Sequence, residues 1–512
     1  MNDVIMTSLA RRGRSRETAR DRARALETAR ARGRVRVRAR RRRLRVRARA
    51  MTAPRRACVV GGGAVGLACA AHVARALRST ASTSASTSTS DVSITVVDDG
   101  ARRAPASVGN AGTMASYAAL AAPAPGAWRR ALLDASGATR SGFRVSARGA
   151  VTVDACRWAL GTLAHCSRAK RRETASALGA LLREAEEAWE TLASDAFLRL
   201  KTRERAKRAG YLLLTSDVDA TDGDEALRAE ALGRGGGRIS EKMYARDAAA
   251  LEPNLSERAR AGGGLFFDRG WSVMDLDALM EDMRESILRE FPETRFVDAR
   301  ATSVEKTTAN ASVVRLDDGD AVEDVDVVVV AAGAYSKDLA SQCGDVLPLD
   351  TERGYHVEFD VDEFPISRAV CYSPGGFIVS PMEDRRTNRK FIRAAGLIEL
   401  GGLDAPPTAR AFDDLEASAR ALFKPGALPR RRDPRRDWLG FRPTLPDYVP
   451  VIGRASANEN VIYAFGHQHV GLTLAAITGR LVGELAAGRT PSVNLDAYSP
   501  RRFRDAWWWR GT

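Results

Sequence analysis

The chain has few cysteines and histidines for its length, and it lacks any long run of apolar residues. Six cysteines and five histidines occur among 512 residues, and no two cysteines form a C-x-x-C pair. This usage predicts a reducing compartment without a disulfide framework. The histidines are scattered apart from His467 and His469, which predicts no zinc or other metal site. Without about 18 consecutive apolar residues, no transmembrane helix is predicted.

An excess of positive charge is also missing from most of the chain, although the net charge of the whole chain is +16. Residues 1–50 hold 19 arginines, no lysine and four acidic residues, which gives +15 and leaves +1 for residues 51–512. An arginine-rich, acid-poor segment without an apolar core is typical of a mitochondrial or chloroplast transit peptide and not of a secretory signal. Two alternatives stay open: Met51 is the true start of a cytoplasmic protein, or the segment is a nucleic-acid-binding arm.

A glycine-rich turn follows the first predicted strand of the near-neutral part. Gly61, Gly63 and Gly66 have G-x-G-x-x-G spacing after the apolar residues 57–60, and small apolar residues then continue as a helix. The first glycine permits a tight turn, the second lets the backbone approach a pyrophosphate, and the third lets the helix pack against the strand. The positive N-terminus of the helix then faces the phosphates. The pattern predicts a dinucleotide site, the alternative being an ordinary βαβ unit.

An acidic residue ends the next predicted strand, at residues 92–97. Asp98, which is followed by Asp99, can accept hydrogen bonds from the ribose hydroxyls of an adenosine. It lies 32 residues after Gly66, whereas about 20 is usual. The intervening Ser/Thr-rich stretch 79–90 is predicted to be an inserted surface loop, which accounts for the excess.

Two later segments repeat the pattern of a strand that runs into a glycine turn. The strand at 325–330 leads to Gly333, where a small residue would clear the adenosine half of a flavin cofactor. The strand at 460–465 leads to the turn 466–473 and then to a helix, whose N-terminus could face the pyrimidine edge of a flavin. Between them, alternating apolar and aromatic residues predict antiparallel strands of a second sheet.

Together these motifs resemble the FAD-dependent D-amino-acid oxidase-like family, and within it the D-amino-acid dehydrogenase small-subunit group. The resemblance covers about residues 56–491. Phe441 departs mildly from the Gly-Leu-Arg-Pro that is usual in this family, and residues 1–50, the Ser/Thr-rich stretch and Trp507–Trp509 lie outside its pattern. The segments that carry the resemblance are Gly61–Gly66, Asn110-Ala111-Gly112, Arg353-Gly354-Tyr355, Gly440–Asp447 with Val451-Ile452-Gly453, and Gly466-His467.

The resemblance implies an α/β fold, with a discontinuous Rossmann-like FAD-binding domain and a second, α+β substrate domain that contains an antiparallel sheet. The expected ranges are a leader at 1–50, FAD-binding parts at 51–150, 266–346 and 437–500, substrate-domain parts at 151–265 and 347–436, and a tail at 501–512.

The activity that the resemblance implies is oxidation of the Cα–N bond of a D-amino acid, or of a cyclic imino acid such as D-proline or hydroxyproline. Hydride transfer to FAD gives an imino acid, which hydrolyses to a 2-oxo acid and ammonia. One alternative is a glycine- or sarcosine-type oxidase that uses oxygen. Another, of a different class, is a protein that binds nucleic acid or anionic surfaces through its arginine-rich leader. The electron acceptor stays open between oxygen, a quinone and an electron-transfer protein.

The resemblance also assigns roles to individual residues. Arg442 is expected to pair with the substrate carboxylate, a role that suits the planar fork of arginine; the alternative is a surface salt bridge. Tyr355 and Tyr372 are candidates for closing the substrate pocket, and His467 for touching flavin or substrate. Because the last cysteine is Cys371, we expect FAD without a covalent link to a C-terminal cysteine. Cofactor contacts are expected from Gly61, Gly63, Ala64, Val65, Gly66, Asp98, Asn110, Ala111, Gly112, Gly333, Gly466, His467, Gly471, Leu472 and Thr473.

Overall fold

The computed structural model describes residues 56–82, 92–100, 105–120, 142–146, 152–201, 207–235, 237–308, 311–428 and 434–509. The arginine-rich leader lies outside these ranges. The Ser/Thr-rich stretch begins as the last turn of a helix, which continues to Ser82, so its first residues are not the predicted loop; residues 83–90 lie outside the described part.

The strands of the described residues are β1 (Arg56–Val60), β2 (Ser93–Asp98), β3 (Thr113–Met114), β4 (Phe143–Val145), β5 (Tyr211–Leu214), β6 (Glu241–Met243), β7 (Gly264–Phe267), β8 (Trp271–Ser272), β9 (Thr294–Asp298), β10 (Ala301–Thr308), β11 (Ala311–Leu316), β12 (Ala321–Val325), β13 (Val327–Val330), β14 (Asp350–Asp360), β15 (Ala369–Tyr372), β16 (Phe377–Asp384), β17 (Arg389–Leu400), β18 (Trp438–Thr444), β19 (Val451–Arg454) and β20 (Val461–Phe465). The helices are α1 (Ala64–Ser82), α2 (Ala106–Gly109), α3 (Val153–Ala164), α4 (Arg168–Ala193), α5 (Asp222–Ala231), α6 (Ala245–Leu251), α7 (Glu257–Arg260), α8 (Leu276–Glu290), α9 (Ser336–Gln342), α10 (Ala409–Leu422) and α11 (Gly471–Ala486).

A six-stranded sheet in the order β19–β20–β13–β1–β2–β9 carries the glycine turns. Its strands are parallel except for β19, which pairs antiparallel with β20. Continuous apolar runs such as Val327–Val330, buried at every position, are typical of a parallel sheet that is covered on both faces. Because β1, β2, β13 and β20 run in the same direction, the segments that follow them all begin at one edge of the sheet.

Small residues let the helices that cover one face of this sheet approach closely. A Cβ atom added at Gly479 of α11 would lie 2.6 Å from the Ala68 carbonyl oxygen of α1. A Cβ at Gly483 would lie 2.9 Å from the carbonyl oxygen of His72. The two helices therefore bury their apolar faces together, and they share this core with α4 and α8. The other face packs against β10–β12, α9 and the aromatic rings of Trp508 and Trp509.

The second sheet has nine strands, in the order β18–β14–β17–β16–β15–β5–β7–β6, with β4 beside β17. Most pairs are antiparallel, as the alternating pattern predicts, although β15 and β5 pair in parallel, as do β17 and β4. Helix α10 buries Leu415 and Ala419 in a core shared with β14 and β17. The predicted fold class is thus confirmed. The residue bounds of the two domains stay a prediction, because Pro54–Thr512 forms one compact unit.

Within the described residues, no helix combines the length and the apolar composition that crossing a membrane requires.

Candidate active site

A cavity of about 970 Å³ runs along the carboxyl edge of the six-stranded sheet and reaches the second sheet. Gly61 and Gly333 line it from the turns after β1 and β13, while Ile378 and Arg442 line it from β16 and β18. Its volume is at the upper end of the ~300–1,000 Å³ that is typical of ligand pockets. The cavity therefore joins the nucleotide-type turns to the antiparallel sheet.

The first glycine turn has no space for side chains. Gly61 has a φ of 112°, and a Cβ there would lie 2.3 Å from the Ala331 carbonyl oxygen. A Cβ at Gly66 would lie 1.8 Å from the carbonyl oxygen of Gly61 itself. The turn consequently holds the N-terminus of α1 at the cavity wall, with no acidic residue in the first helical turn. Such a terminus favours an anionic group, as a diphosphate would supply.

Asp98 stabilises this turn from the end of β2. Its carboxylate accepts hydrogen bonds from the backbone N–H of Gly62 at 2.5 Å and of Gly100 at 2.9 Å. Asp98 also lines the cavity, as does Asp99. The side chain thus fixes the glycine loop, which the sequence pattern does not reveal, and it lies at the cavity wall, where its contact with a ribose stays a prediction.

Replacing Asp98 with alanine should weaken FAD binding about 10- to 100-fold. The expected size follows from the loss of hydrogen bonds to a charged group, each worth about 1.5–3 kcal/mol. Equilibrium dialysis of the apoprotein against FAD measures the change, with Asp99→Ala as the matched control. Unchanged FAD affinity in Asp98→Ala, together with a loss in Asp99→Ala, would assign the ribose contact to Asp99 instead.

The segment Asn110–Gly112 is shaped by hydrogen bonds within the chain. The Asn110 amide oxygen accepts from the Gly112 N–H at 2.8 Å, and Gly112 has a φ of 70°. Arg393 donates to the carbonyl oxygens of Val108 and Asn110 at 2.7 and 2.9 Å, and it is paired with Glu358 at 2.9 Å. These contacts engage the Arg393 guanidinium in holding this segment in place.

The turn after β20 is similarly fixed. Gly466 has a φ of 85°, and the Thr473 hydroxyl accepts from the Ala115 N–H at 3.0 Å. The His467 ring is buried and lies 3.0 Å from the Thr478 hydroxyl through Nε2. Burial lowers the pKa of His467 to about 3, so its imidazole is neutral at physiological pH and holds the turn rather than carrying charge.

His469 differs from His467, because it is exposed where it lines the cavity. Poor solvation inside the cavity, and then the nearby Arg442 cation, lower the pKa of His469 to about 4. A neutral imidazole therefore faces the cavity beside a permanent cation. This geometry places no second positive charge next to Arg442.

Arg442 projects from β18 across the face of β14. Its guanidinium lies directly over Gly354, where a Cβ atom would come within 2.5 Å of Nη2. Nη1 donates to the Leu397 carbonyl oxygen at 2.9 Å. Leu397 has a φ of 61° and lies at an irregularity in the pairing of β14 with β17. Irregularities of this kind often change the direction of side chains near active sites.

The guanidinium of Arg442 has no carboxylate partner in an ion pair with any other residue that the structure describes. Burial lowers its pKa below the usual range, and the Glu352 carboxylate opposes that shift. An arginine stays protonated under these conditions. The alternative, a surface salt bridge, is thus not found among the described residues, and a half-buried cation faces the cavity.

The two predicted tyrosines have different surroundings. Tyr355 belongs to the cavity wall, but its ring packs edge-on against Phe412 at 5.0 Å and its hydroxyl donates to Glu399. Tyr372 is not among the residues found to line the cavity, and its ring packs against Phe377 at 5.7 Å. The described contacts of both rings are those of core residues, and their predicted roles in closing the pocket stay predictions.

Most of the predicted cofactor residues lie together. Gly112, Gly466 and Thr473 lie beside the cavity wall rather than in it. The predicted cofactor residues that line the cavity are Gly61, Gly63, Ala64, Val65, Gly66, Asp98, Asn110, Ala111, Gly333, His467, Gly471 and Leu472.

Three further residues of the cavity wall carried no recognisable sequence signal. The Ser107 hydroxyl accepts from the Ala64 N–H at 2.9 Å, at the N-terminus of α1. Tyr117 and Tyr211 line the cavity with ring centroids 4.7 Å apart, and Tyr117 stacks on Phe267 at 4.2 Å. Ser107 and Tyr117 flank the predicted segment Asn110–Gly112, whereas Tyr211 lies far from it in sequence, and the tertiary fold brings all three to the cavity.

The cavity fits FAD on chemical grounds. A helix N-terminus and side-chain-free glycines suit the diphosphate, and Asp98 suits the ribose. A Cβ added at Gly333 would have no atom within 4 Å, so the wall leaves open space there. The residues that would hold FAD are therefore those of the three turns after β1, β13 and β20.

Comparison with known proteins agrees with this geometry. The family model described as FAD dependent oxidoreductase matches residues 56–485. D-amino-acid oxidase from Bradyrhizobium diazoefficiens is 30% identical over 461 residues, which cover 88% of this chain and all of that protein. D-amino acid dehydrogenase from Paramagnetospirillum magneticum is 32% identical over 182 residues, covering 35% of this chain and 41% of that protein.

Solved structures agree at the level of the fold. Glycine oxidase from Geobacillus kaustophilus has a TM-score of 0.60 at 18% identity, covering 88% of this chain and 99% of that one. Iminodiacetate oxidase from Chelativorans has a TM-score of 0.60 at 17% identity, covering 87% of this chain and 98% of that one. With the family model, the full-length relative and the glycine-lined cavity taken together, the chain belongs to the DAO family of FAD-dependent oxidoreductases and is an enzyme of that class.

Proposed function

We propose that the protein oxidises the Cα–N bond of a D-amino acid, or of a cyclic imino acid such as D-proline, with non-covalently bound FAD. The observation that carries the proposal is the Arg442 guanidinium, which faces the cavity without an ion-pair partner among the described residues. A planar cation of this kind binds a carboxylate through two parallel hydrogen bonds. The curated relative of matching length, named D-amino-acid oxidase, supports the same substrate class.

In this proposal the chain acts mainly by binding and orienting the substrate. FAD, when bound, supplies the acceptor for the hydride that leaves Cα. Arg442 fixes the carboxylate, so rotation about the Cα–carboxyl bond is the main freedom left to the substrate. Because His467 and His469 are neutral at physiological pH, they do not repel an amino group. The lone pair of the neutral amine assists departure of the hydride, and the imino acid then hydrolyses in water.

A glycine- or sarcosine-type oxidase is the alternative within the same class. Its support is the likeness to the solved glycine oxidase, which concerns the fold. Both reactions need a carboxylate-binding cation, so Arg442 does not discriminate between them. The difference lies in the side chain at Cα and in its chirality.

Anaerobic reduction of the bound flavin separates the two substrate classes. D-alanine, D-proline, L-alanine, glycine and sarcosine are mixed in turn with the holoenzyme, and the loss of oxidised-flavin absorbance is followed. The proposal expects fast reduction by at least one D-amino or cyclic imino acid and slow reduction by L-alanine. Fast reduction by glycine or sarcosine alone would favour the alternative. Reoxidation with oxygen, a quinone analogue or an artificial acceptor then identifies the acceptor class.

Acid precipitation should release all the flavin as free FAD. No cysteine lines the cavity among the described residues, and Cys371 is half-buried in β15, where desolvation raises the pKa of its thiol to about 11. A thiol that is rarely ionised is a poor nucleophile. Absorbance of the supernatant and of the redissolved pellet measures the partition, and flavin that stays with the pellet would contradict the prediction.

Removing residues 1–50 should leave the flavin-reduction rate unchanged and should weaken binding to DNA and to anionic vesicles. The truncated chain carries a net charge of about +1 instead of +16. A salt titration of DNA binding by both forms measures the effect, because phosphate contacts weaken steeply with salt. Salt-dependent DNA binding that survives the truncation would contradict the assignment of this binding to the leader. Import of the leader fused to a reporter tests the proposed mitochondrial or chloroplast location.

A further inference from the structure

A buried carboxylate stands directly opposite the proposed clamp. Arg442 on β18 pairs with Glu352 on β14 in the antiparallel register. Side chains of directly opposed residues project from the same face of a sheet, with Cβ atoms about 4.5–5.5 Å apart. Glu352 is only 3% exposed and is not among the residues found to line the cavity. It therefore lies behind Arg442, out of reach of a ligand.

The Arg442 side chain leans away from Glu352. Its guanidinium lies over Gly354, two residues along β14, and is held there by the Leu397 carbonyl oxygen at 2.9 Å. The Glu352 carboxyl turns the other way and accepts hydrogen bonds from the Tyr448 hydroxyl and, at 3.4 Å, from the Thr444 hydroxyl. The two charged groups are near one another without forming a direct ion pair.

Two residues with strained backbone conformations help to hold the carboxyl group of Glu352 in place. Tyr448 has a φ of 59° and Gln468 a φ of 43°, conformations that side chains adopt at a cost. The Gln468 amide donates to the Tyr448 carbonyl oxygen at 2.7 Å, and Gln468 itself lines the cavity. This contact fixes the backbone at Tyr448 and so keeps the Tyr448 hydroxyl within hydrogen-bonding distance of the Glu352 carboxyl.

We propose that Glu352 is a positioning residue that competes with the substrate carboxylate for the Arg442 cation. The proposal rests on the assignment of Arg442 as the carboxylate clamp. Burial raises the pKa of the Glu352 carboxyl, and the Tyr448 hydroxyl and the Arg442 cation oppose that rise. In the empty enzyme, the ionised form of Glu352 compensates a half-buried cation that would otherwise be costly. When the substrate binds, the same negative charge opposes the incoming carboxylate. Because the 2-oxo acid product carries a carboxylate too, Glu352 weakens product binding as well and favours its release.

Binding of propionate to the holoenzyme tests this competition, with propionamide as the uncharged probe of similar size. Glu352→Gln keeps the side-chain volume and removes the charge, so the dissociation constant for propionate should fall about tenfold. Tyr448→Phe removes a hydrogen bond that lowers the pKa of the Glu352 carboxyl, so a larger fraction of Glu352 is protonated and propionate should bind about threefold more tightly. Propionamide affinity should change in neither variant. Calorimetry measures the constants, and flavin absorbance confirms that each variant is loaded.

Glu399→Gln is the matched control. Glu399 is also buried and also accepts from a tyrosine and a threonine hydroxyl, those of Tyr355 and Thr408. It pairs with Arg353, on the opposite face of β14 from Glu352. Its variant should bind propionate as the wild type does, whereas tighter binding in both glutamine variants would overturn the specific role of Glu352.

Two outcomes separate this proposal from the function on which it rests. If Arg442→Ala loses propionate binding while Glu352→Gln matches the wild type or binds more weakly, the role of Glu352 is wrong and the clamp stands. If Arg442→Ala binds propionate as well as the wild type, the clamp itself is wrong. Tighter binding is a result that mere structural damage at Glu352 would not produce.

Discussion

Gly66→Ala is expected to yield a folded protein that purifies without FAD. The added Cβ would lie 1.8 Å from the carbonyl oxygen of Gly61, a backbone atom that cannot move without opening the turn that holds the N-terminus of α1. We expect FAD affinity to fall at least about a hundredfold, or ~2.8 kcal/mol at ~1.4 kcal/mol per decade. The ratio of flavin absorbance to protein after gel filtration measures the loss, and circular dichroism checks the fold.

Gly223→Ala is the control for this substitution. Gly223 lies in the first turn of α5, and a Cβ there would have no atom within 4 Å. Alanine is also the better helix former, so FAD content should equal that of the wild type. If Gly66→Ala retained stoichiometric FAD, the glycine turn after β1 would not be the diphosphate site.

Arg442→Ala is expected to lower kcat/KM for the amino-acid substrate about 30- to several-thousand-fold. Removing one partner of a charge pair in a water-poor site costs about 2–5 kcal/mol, and each ~1.4 kcal/mol is a factor of ten. FAD content should stay unchanged, since Arg442 lies on β18 of the second sheet, away from the turn that carries Gly61. Steady-state kinetics with the best substrate of the anaerobic screen measure the loss.

Arg442→Lys refines this expectation. Lysine keeps the charge but loses the two-pronged donor geometry, and it also gives up the hydrogen bond that Nη1 makes to Leu397. Its kcat/KM should therefore fall between those of the wild type and Arg442→Ala. A lysine variant as slow as the alanine variant would show that two-pronged geometry, rather than charge, carries the interaction.

Local sequence patterns were enough to predict the turns that would hold the cofactor. A few adjacent residues specify each of three features: the turn at Gly61–Gly66, the acidic residue that ends β2, and the turn that begins at Gly466. Parallel pairing of the strands that precede them brings these turns to one edge. The spacing of the glycines follows from the backbone geometry of the turn. The turn can therefore be predicted from the sequence without knowledge of how the helices pack.

The surroundings of the proposed substrate-binding residues depend on strand pairings between segments that are distant in sequence. The two neighbours of Arg442, Gly354 and Leu397, come from different strands, and the irregular conformation of Leu397 leaves no mark in the sequence. Tyr355 shows the same limit, because alternation places an aromatic on a strand without telling which face is the core. The tail lies outside the family pattern, so the resemblance does not indicate that Trp508 and Trp509 are buried against the main sheet.

The most direct measurement is single-turnover reduction of the flavin by two compounds that differ only in the carboxylate. These are the D-amino acid that reduces the enzyme fastest and the amine that carries hydrogen in place of its carboxylate. The wild type should reduce far faster with the acid than with the amine, and Arg442→Ala should lose most of that preference while keeping its FAD. An undiminished preference in Arg442→Ala, or none in the wild type, would contradict the assignment of Arg442 as the carboxylate clamp of an amino-acid oxidoreductase.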